Sequence, residues 1–129
     1  MNAVNVQKIF FEFLKAEGFR PALDNDGGVV FKYKGEEYFT AVDKSFSDFF
    51  RLMCPMEFDN DIMELHEVAS EFNQNMPVTK ATVLTGNDKP CVLITFEAFI
   101  SDQTFFQNYF GRIMEIIEKA KQMIIKKLT

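Results

Sequence analysis

One histidine, two cysteines and two groups of carboxylates are the side chains of this sequence with the types and spacing for chemistry. His66 is the single histidine, and Cys54 and Cys91 are the thiols. An imidazole within hydrogen-bond reach of a thiol makes a nucleophile–base pair. Both cysteines stand in apolar, strand-like runs, where a thiol stays protonated and inert. His66 follows Ile62 by four residues and reads as a histidine on the flank of a helix. Zinc needs four ligands with short paired spacings, which one histidine and two distant cysteines do not supply. Asp24-Asn25-Asp26-Gly27 has the composition of the start of a calcium loop, but the residue eleven positions on, where a carboxylate is required, is Gly35. Glu57, Asp59, Asp61 and Glu64 form a second acidic group, of which helix capping accounts for Asp59 and Asp61. Gly28 and Gly35 lack the Lys-Ser/Thr that completes a phosphate-binding loop. These readings predict no catalytic residue, no metal, no cofactor and no enzyme activity.

The composition points instead to surfaces. The chain has 129 residues, 47 % hydrophobic and 26 % charged, enough for one domain, residues 1–129, with a real core. It holds 16 Phe and no Trp. Phe brings apolar area without a polar handle, and more of it than one core can hide favours a partner or a dimer. The net charge of −5 argues against nucleic-acid backbones as the main target. Lys119, Lys121, Lys126 and Lys127 are a local basic group, read as cations placed near a helix C-terminus where the macrodipole favours them. The two cysteines read as buried thiols of a reducing compartment, with a disulfide between them left open. The first fifteen residues lack a secretory signal pattern, and no apolar run is long enough to span a bilayer. The expected location is the cytoplasm, without membrane insertion.

The elements that would carry these surfaces follow from periodicity and turn residues. Residues 4–17 predict a helix, with Val6, Ile9, Phe10, Phe13 and Leu14 on one side and Gly18 at its end. Residues 19–24 are extended, and Pro21 confines them to an edge or a strand start. A turn at residues 24–28 leads into a strand of alternating pattern over 29–34. A tight turn at Lys34-Gly35-Glu36 then gives a strand over 37–43, so these pieces form an antiparallel meander. Residues 45–58 suit a helix or a buried strand; Pro55 decides for a strand from about Asp48. Residues 59–61 cap a helix whose stripe is Ile62, Leu65, Ala69, Phe72 and Met76, stopped by Pro77. Strands over 78–85 and 90–99 flank a turn at Gly86-Asn87-Asp88-Lys89, and Val92, Ile94, Phe96 and Ala98 share a face. Ser101 or Asp102 caps a last helix reaching about Lys127. Its apolar stripe is wide enough to serve a sheet on one side and a second chain on the other, or to be core throughout. The class is α+β: an antiparallel sheet with an N-terminal, a middle and a long C-terminal helix, in the order α-β-β-β-β-α-β-β-α.

This order resembles the type III secretion chaperone-like fold and, within it, the YbjN-like family of small bacterial proteins. The second half carries most of the likeness. A helix ends in Glu71-Phe72-Asn73-Gln74-Asn75, Lys80-Ala81-Thr82-Val83 opens a strand, and Asn87-Asp88 turns into Val92-Leu93-Ile94-Thr95-Phe96-Glu97-Ala98-Phe99 before the closing helix. The first half matches through the opening helix, the Asp26-Gly27-Gly28 turn and the run ending at Phe58. The resemblance implies a homodimer. It also implies a regulatory or chaperone-like role, because the secretion chaperones hold a partner polypeptide on exposed apolar patches without ATP. None of its motifs is catalytic.

The leading expectation is therefore a non-enzymatic protein-binding module that takes up an unidentified partner polypeptide and pairs with itself. The candidate surface comprises Phe46, Phe49 and Phe50 in the Phe-rich strand region and Phe105, Tyr109, Ile116 and Met123 on the outer side of the last helix. Met adapts its shape readily, which suits loose specificity. The alternative is a small ligand-sensing regulatory domain with a pocket between sheet and helices.

Overall fold

The computed structural model of the protein describes residues 4–86 and 89–129. The elements are α1 (Val6–Ala16), β1 (Ala22–Leu23), β2 (Val29–Tyr33), β3 (Glu36–Thr40), β4 (Phe49–Glu57), α2 (Ile62–Asn75), β5 (Thr79–Leu84), β6 (Cys91–Phe99) and α3 (Thr104–Leu128). The strands form a six-stranded sheet in the order β1-β2-β3-β4-β6-β5. β1 to β4 are a meander of antiparallel neighbours, and β5 pairs antiparallel with β6. The join between β4 and β6 is antiparallel too: Ile100 N donates to Asp48 O at one end and Phe58 N donates to Pro90 O at the other. The expected α+β order is the order of the molecule. Of the predicted turn at 86–89, Asn87 and Asp88 lie outside the described residues.

The fold gathers into two compact units, one of the described residues up to Met53 with Glu97–Gly111, the other of Cys54–Phe96 with Arg112–Thr129. In the first, Asn5 caps α1 by accepting from Lys8 N, and Val6, Phe10 and Leu14, spaced by four, are buried. Lys34 (φ 51°) and Gly35 (φ 82°) both take left-handed conformations, the geometry of a two-residue hairpin connection between right-twisted strands. The carboxylate of Asp24 accepts from Asp26 N at 2.9 Å and Gly28 N at 2.8 Å, which folds the 24–28 turn. Thr40 joins three elements: its hydroxyl accepts from Val29 N at 2.9 Å and donates to Gln7 Oε1, while Gln7 Nε2 donates to Ala41 O.

In the second unit Asp61 caps α2 by accepting from Met63 N at 2.9 Å. Leu65, Ala69 and Phe72 are its buried stripe; Ile62, predicted to share it, is 41 % exposed because it opens the helix. Pro55 is tolerated inside β4 for a reason the ladder makes plain. The even-numbered residues Asp48 and Phe58 turn their backbone groups to β6. Pro55, being odd, holds its nitrogen on the other side, where the missing N–H breaks no bond to β6.

Asn73 closes an edge of the sheet. Its amide donates to Ala81 O at 2.9 Å and accepts from Ala81 N at 2.7 Å, so a side chain stands where a further strand would pair with β5. Asn73→Leu leaves both groups of Ala81 without these partners and is expected to cost about 1–3 kcal/mol. Urea denaturation measures the loss; an unchanged midpoint would show that water replaces the amide without penalty.

α3 begins after Asp102, whose carboxylate accepts from Thr104 N at 2.9 Å and from Thr104 Oγ1. These bonds hold its pKa below the ordinary carboxylate value. At about 100° per residue, the buried Phe106, Phe110, Ile113, Met114, Ile117, Ala120, Ile124 and Leu128 form one broad face of the helix.

Candidate functional site

The residues with reactive side chains are occupied elsewhere or separated by burial. His66 is exposed on α2, whereas Cys54 is 1 % exposed in β4 and Cys91 is half-buried in β6. Both cysteines are free thiols. Burial pushes the Cys91 thiol up; a hydrogen bond with the Met56 backbone opposes this, and the charge of Glu57 adds to it. Such a thiol is disarmed at neutral pH. Cys91 is accordingly expected to react with iodoacetamide more slowly than a free cysteine at neutral pH, and faster as pH rises towards its raised pKa. Rapid modification at neutral pH would contradict this.

The acidic groups are spent on structure. Asp24 folds its turn and Asp61 caps α2. Asp59 pairs with Lys89 at 3.2 Å, and Glu64 accepts from Asn60 Nδ2 at 2.8 Å. Among the described residues no group of three or more His, Cys, Asp or Glu is arranged to hold a metal ion. The C-terminal lysines are likewise dispersed. Lys119 pairs with Glu115 at 3.5 Å, Lys127 pairs with Glu71 at 3.1 Å, and Lys121 is buried.

The predicted apolar residues divide sharply. Phe50 leaves the candidate surface: it is 1 % exposed, and its ring packs edge-on against Phe10 at 4.9 Å and Phe106 at 5.0 Å. The reason is alternation along β4, which sends neighbouring residues to opposite faces. Phe49 is half-buried on the other face and Phe46, in the loop before the strand, is 55 % exposed. On α3, Phe105 and Ile116 are half-buried, and Tyr109 and Met123 are exposed. These four share a line along the helix at its flank, bordering the buried face, and not its outer side. The outer side is polar, with Asn108, Glu115 and Gln122 exposed.

Phe99 was not among the predicted surface residues, yet it is 63 % exposed and completes a cluster with Phe46 and Phe49. Its ring lies 6.0 Å from Phe46, edge to face, and 5.2 Å from Phe49. The signal for it was already in β6: with Val92, Ile94, Phe96 and Ala98 on one face, Phe99 must fall on the other. The cluster is built firmly. Asp43 accepts from Ser45 N and Phe46 N, Phe49 N donates to Phe46 O, and Val6 N donates to Ser47 O. The Arg51 guanidinium lies 5.2 Å over the Phe49 ring and 3.5 Å from the Glu97 carboxylate. Three apolar rings are thus held side by side at the surface with a polar border. They have nothing to offer a reaction and a good deal to offer another apolar group.

Hollows open to solvent occur among the described residues. One of about 50 Å³ lies among Val68, Phe72, Met123 and Ile124 beside the Glu71–Lys127 pair. Another, about 480 Å³, is bordered by Phe19, Arg20, Val30 and Lys32.

Comparison with solved structures finds a shared fold. No family model and no curated protein matches the chain. Among solved structures it is similar to the crystal structure of YbjN from E. coli, described there as a proposed transcription regulator. The TM-score is 0.69 at 11 % identity, covering 93 % of this chain and 89 % of that one. The fold is YbjN-like, as the sequence pattern suggested.

Proposed function

We propose that this YbjN-like fold serves as a non-enzymatic, cytoplasmic polypeptide-binding module, chaperone-like or regulatory, that holds a segment of a partner protein on Phe46, Phe49 and Phe99. The observation that carries the reading is the contact between Phe46 and Phe99, both more than half exposed, with Phe46 held by bonds to Asp43 and Phe49 and Phe99 preceding Ile100, whose N donates to Asp48 O. A fully buried Phe gains about 1.5–3 kcal/mol over an exposed one, so this pair leaves much of that gain to be collected from outside. No nucleotide is needed for such capture; the driving force is the removal of apolar surface from water. A regulatory role would act through protein contacts, because a net charge of −5 disfavours direct binding to phosphate backbones. Among the described residues no helix is long and apolar enough to cross a membrane. Pairing of the chain with itself fits the flank of α3, where Phe105, Tyr109, Ile116 and Met123 line up.

Affinity capture from the native host, comparing the wild type with a Phe46→Ser/Phe99→Ser variant, tests the docking surface. A stoichiometric protein retained by the wild type and reduced at least about tenfold by the variant is expected, since two half-exposed rings account for roughly 1.4 kcal/mol or more. Equal recovery by both proteins would remove the aromatic cluster from the interface. Sedimentation of the wild type and of Met123→Lys tests self-association, with a dimer expected only for the former.

A further inference from the structure

Resting on the docking reading above, we infer that the occupant of the Phe46–Phe49–Phe99 surface is a cationic amphipathic segment of another protein, with Lys or Arg interleaved among apolar residues. The rings supply the first reason. An aromatic face is negative and attracts a cation, and here the surface already displays that mode, with Arg51 5.2 Å over Phe49. The exposed faces of Phe46 and Phe99 offer the same attraction to a cation from outside.

The border supplies the second. The Asp43 carboxylate accepts from Phe46 N, whereas Asp48 meets Ile100 N only through its backbone carbonyl and turns its side chain to the face of Phe50. Glu97 is two residues from Phe99 on the same face of β6, and Asp102 is three residues beyond. Against the carboxylates of Asp43, Glu97 and Asp102 the same stretches hold Lys44 and Arg51, the latter already paired with Glu97. An incoming Lys or Arg would therefore find both ring faces and carboxylates within one contact area. The whole chain, at −5, would steer a cationic segment towards it.

The same charges disfavour the other occupants. A second copy laid face to face would bring one acidic border onto another, and an anionic bilayer would be repelled. A neutral apolar segment would gain the rings without the added attraction of the negative border.

The test uses two short fluorescein-labelled peptides, one alternating Lys with Leu and one alternating Glu with Leu, titrated with the intact protein and read by fluorescence anisotropy. The Lys/Leu peptide is expected to bind the wild type and the Glu/Leu peptide is not. Phe46→Ser/Phe99→Ser leaves the net charge unchanged and substitutes exposed positions, so circular dichroism should confirm its fold. It is expected to weaken Lys/Leu binding about tenfold or more. Glu97→Gln is expected to weaken it by about threefold, and rising salt should do the same. If the double Phe variant binds the Lys/Leu peptide as well as the wild type does, the attraction is diffuse charge and the inference falls. If both peptides bind the wild type and both are lost in the variant, the docking surface stands and its cationic preference falls. If neither binds, the preference again fails, and the host capture experiment decides the docking surface separately. A wild-type dimer dissociated by the double Phe variant would assign the surface to a second copy and overturn the inference.

Discussion

Phe10→Ala is expected to destabilise the protein by about 3–5 kcal/mol, the range for truncating a fully buried aromatic ring. Phe10 is 0 % exposed. Its ring meets Phe31 at 5.5 Å and Phe50 at 4.9 Å, both edge-on, and Phe106 at 4.8 Å and Phe110 at 6.1 Å at a tilt. One ring thus joins α1, β2, β4 and the first turns of α3. Its removal forfeits apolar burial and aromatic pairs worth about 0.5–1.5 kcal/mol each beyond area. The surrounding rings are themselves wedged and collapse poorly into the space left. Urea denaturation should show a lower midpoint with an unchanged slope, and a melting temperature lower by roughly 10 °C or more. The neighbouring Phe11 is half-buried and lies under Lys15 at 5.8 Å. Phe11→Ala should cost no more than about 1.5 kcal/mol. A Phe10 variant as mild as the Phe11 variant would mean that this ring cluster does not hold the first unit together.

Gly28→Ala should have the next largest effect, about 2–3 kcal/mol, in the range of forced overpacking. A Cβ built at Gly28 would stand 2.5 Å from Thr40 O and 2.7 Å from Asp24 Oδ2. Backbone cannot yield as a side-chain tip can, so the chain at Gly28 must move from Thr40 O, and Asp24 must also shift, at the expense of its bonds to Asp26 N and Gly28 N. Gly27 is required for a different reason. Its φ of +88° is left-handed, but nothing lies within 4 Å of an added Cβ. Gly27→Ala should therefore cost only about 1 kcal/mol, and Gly27→Asn less, because Asn tolerates that conformation. The distinguishing result is that Asn rescues position 27 and not position 28. Equal losses at both positions would refute the close approach of Gly28 to Thr40.

The contrast between neighbouring residues also explains what the sequence could and could not convey. Local rules placed the elements well: Gly18 ends α1, Lys34-Gly35 makes the hairpin, and Pro55 excludes a helix from 49–57. They placed Val92, Ile94 and Phe96 on the core face, and by the same alternation would have placed Phe99 off it. Exposure depends on what another part of the chain lays over a residue, and no local pattern contains that. Phe49 and Phe50 are indistinguishable as letters. Their fates differ because Phe10 and Phe106, far away in sequence, cover only one face of β4. The same applies to α3, where a wide apolar stripe was legible but its division into a buried face and a half-exposed flank was not. Asp61 and Asp24 were legible as a cap and a turn because each makes a local bond, whereas Asp59, read with Asp61 as a cap, pairs instead with Lys89.

The ring cluster around Phe10 also sets an order of events at the ribosome. Phe106 and Phe110, two of the ring partners of Phe10, are translated 96 and 100 residues after it. At about 5–20 residues per second, the apolar side of α1 waits roughly five to twenty seconds before those partners exist. The β2–β3 hairpin, closed by two residues, can form in microseconds once translated, and in the interval it offers the Phe10 ring its contact with Phe31. The nascent chain therefore passes through a period in which the apolar side of α1 is incompletely covered and open to capture by whatever binds apolar segments near the tunnel exit.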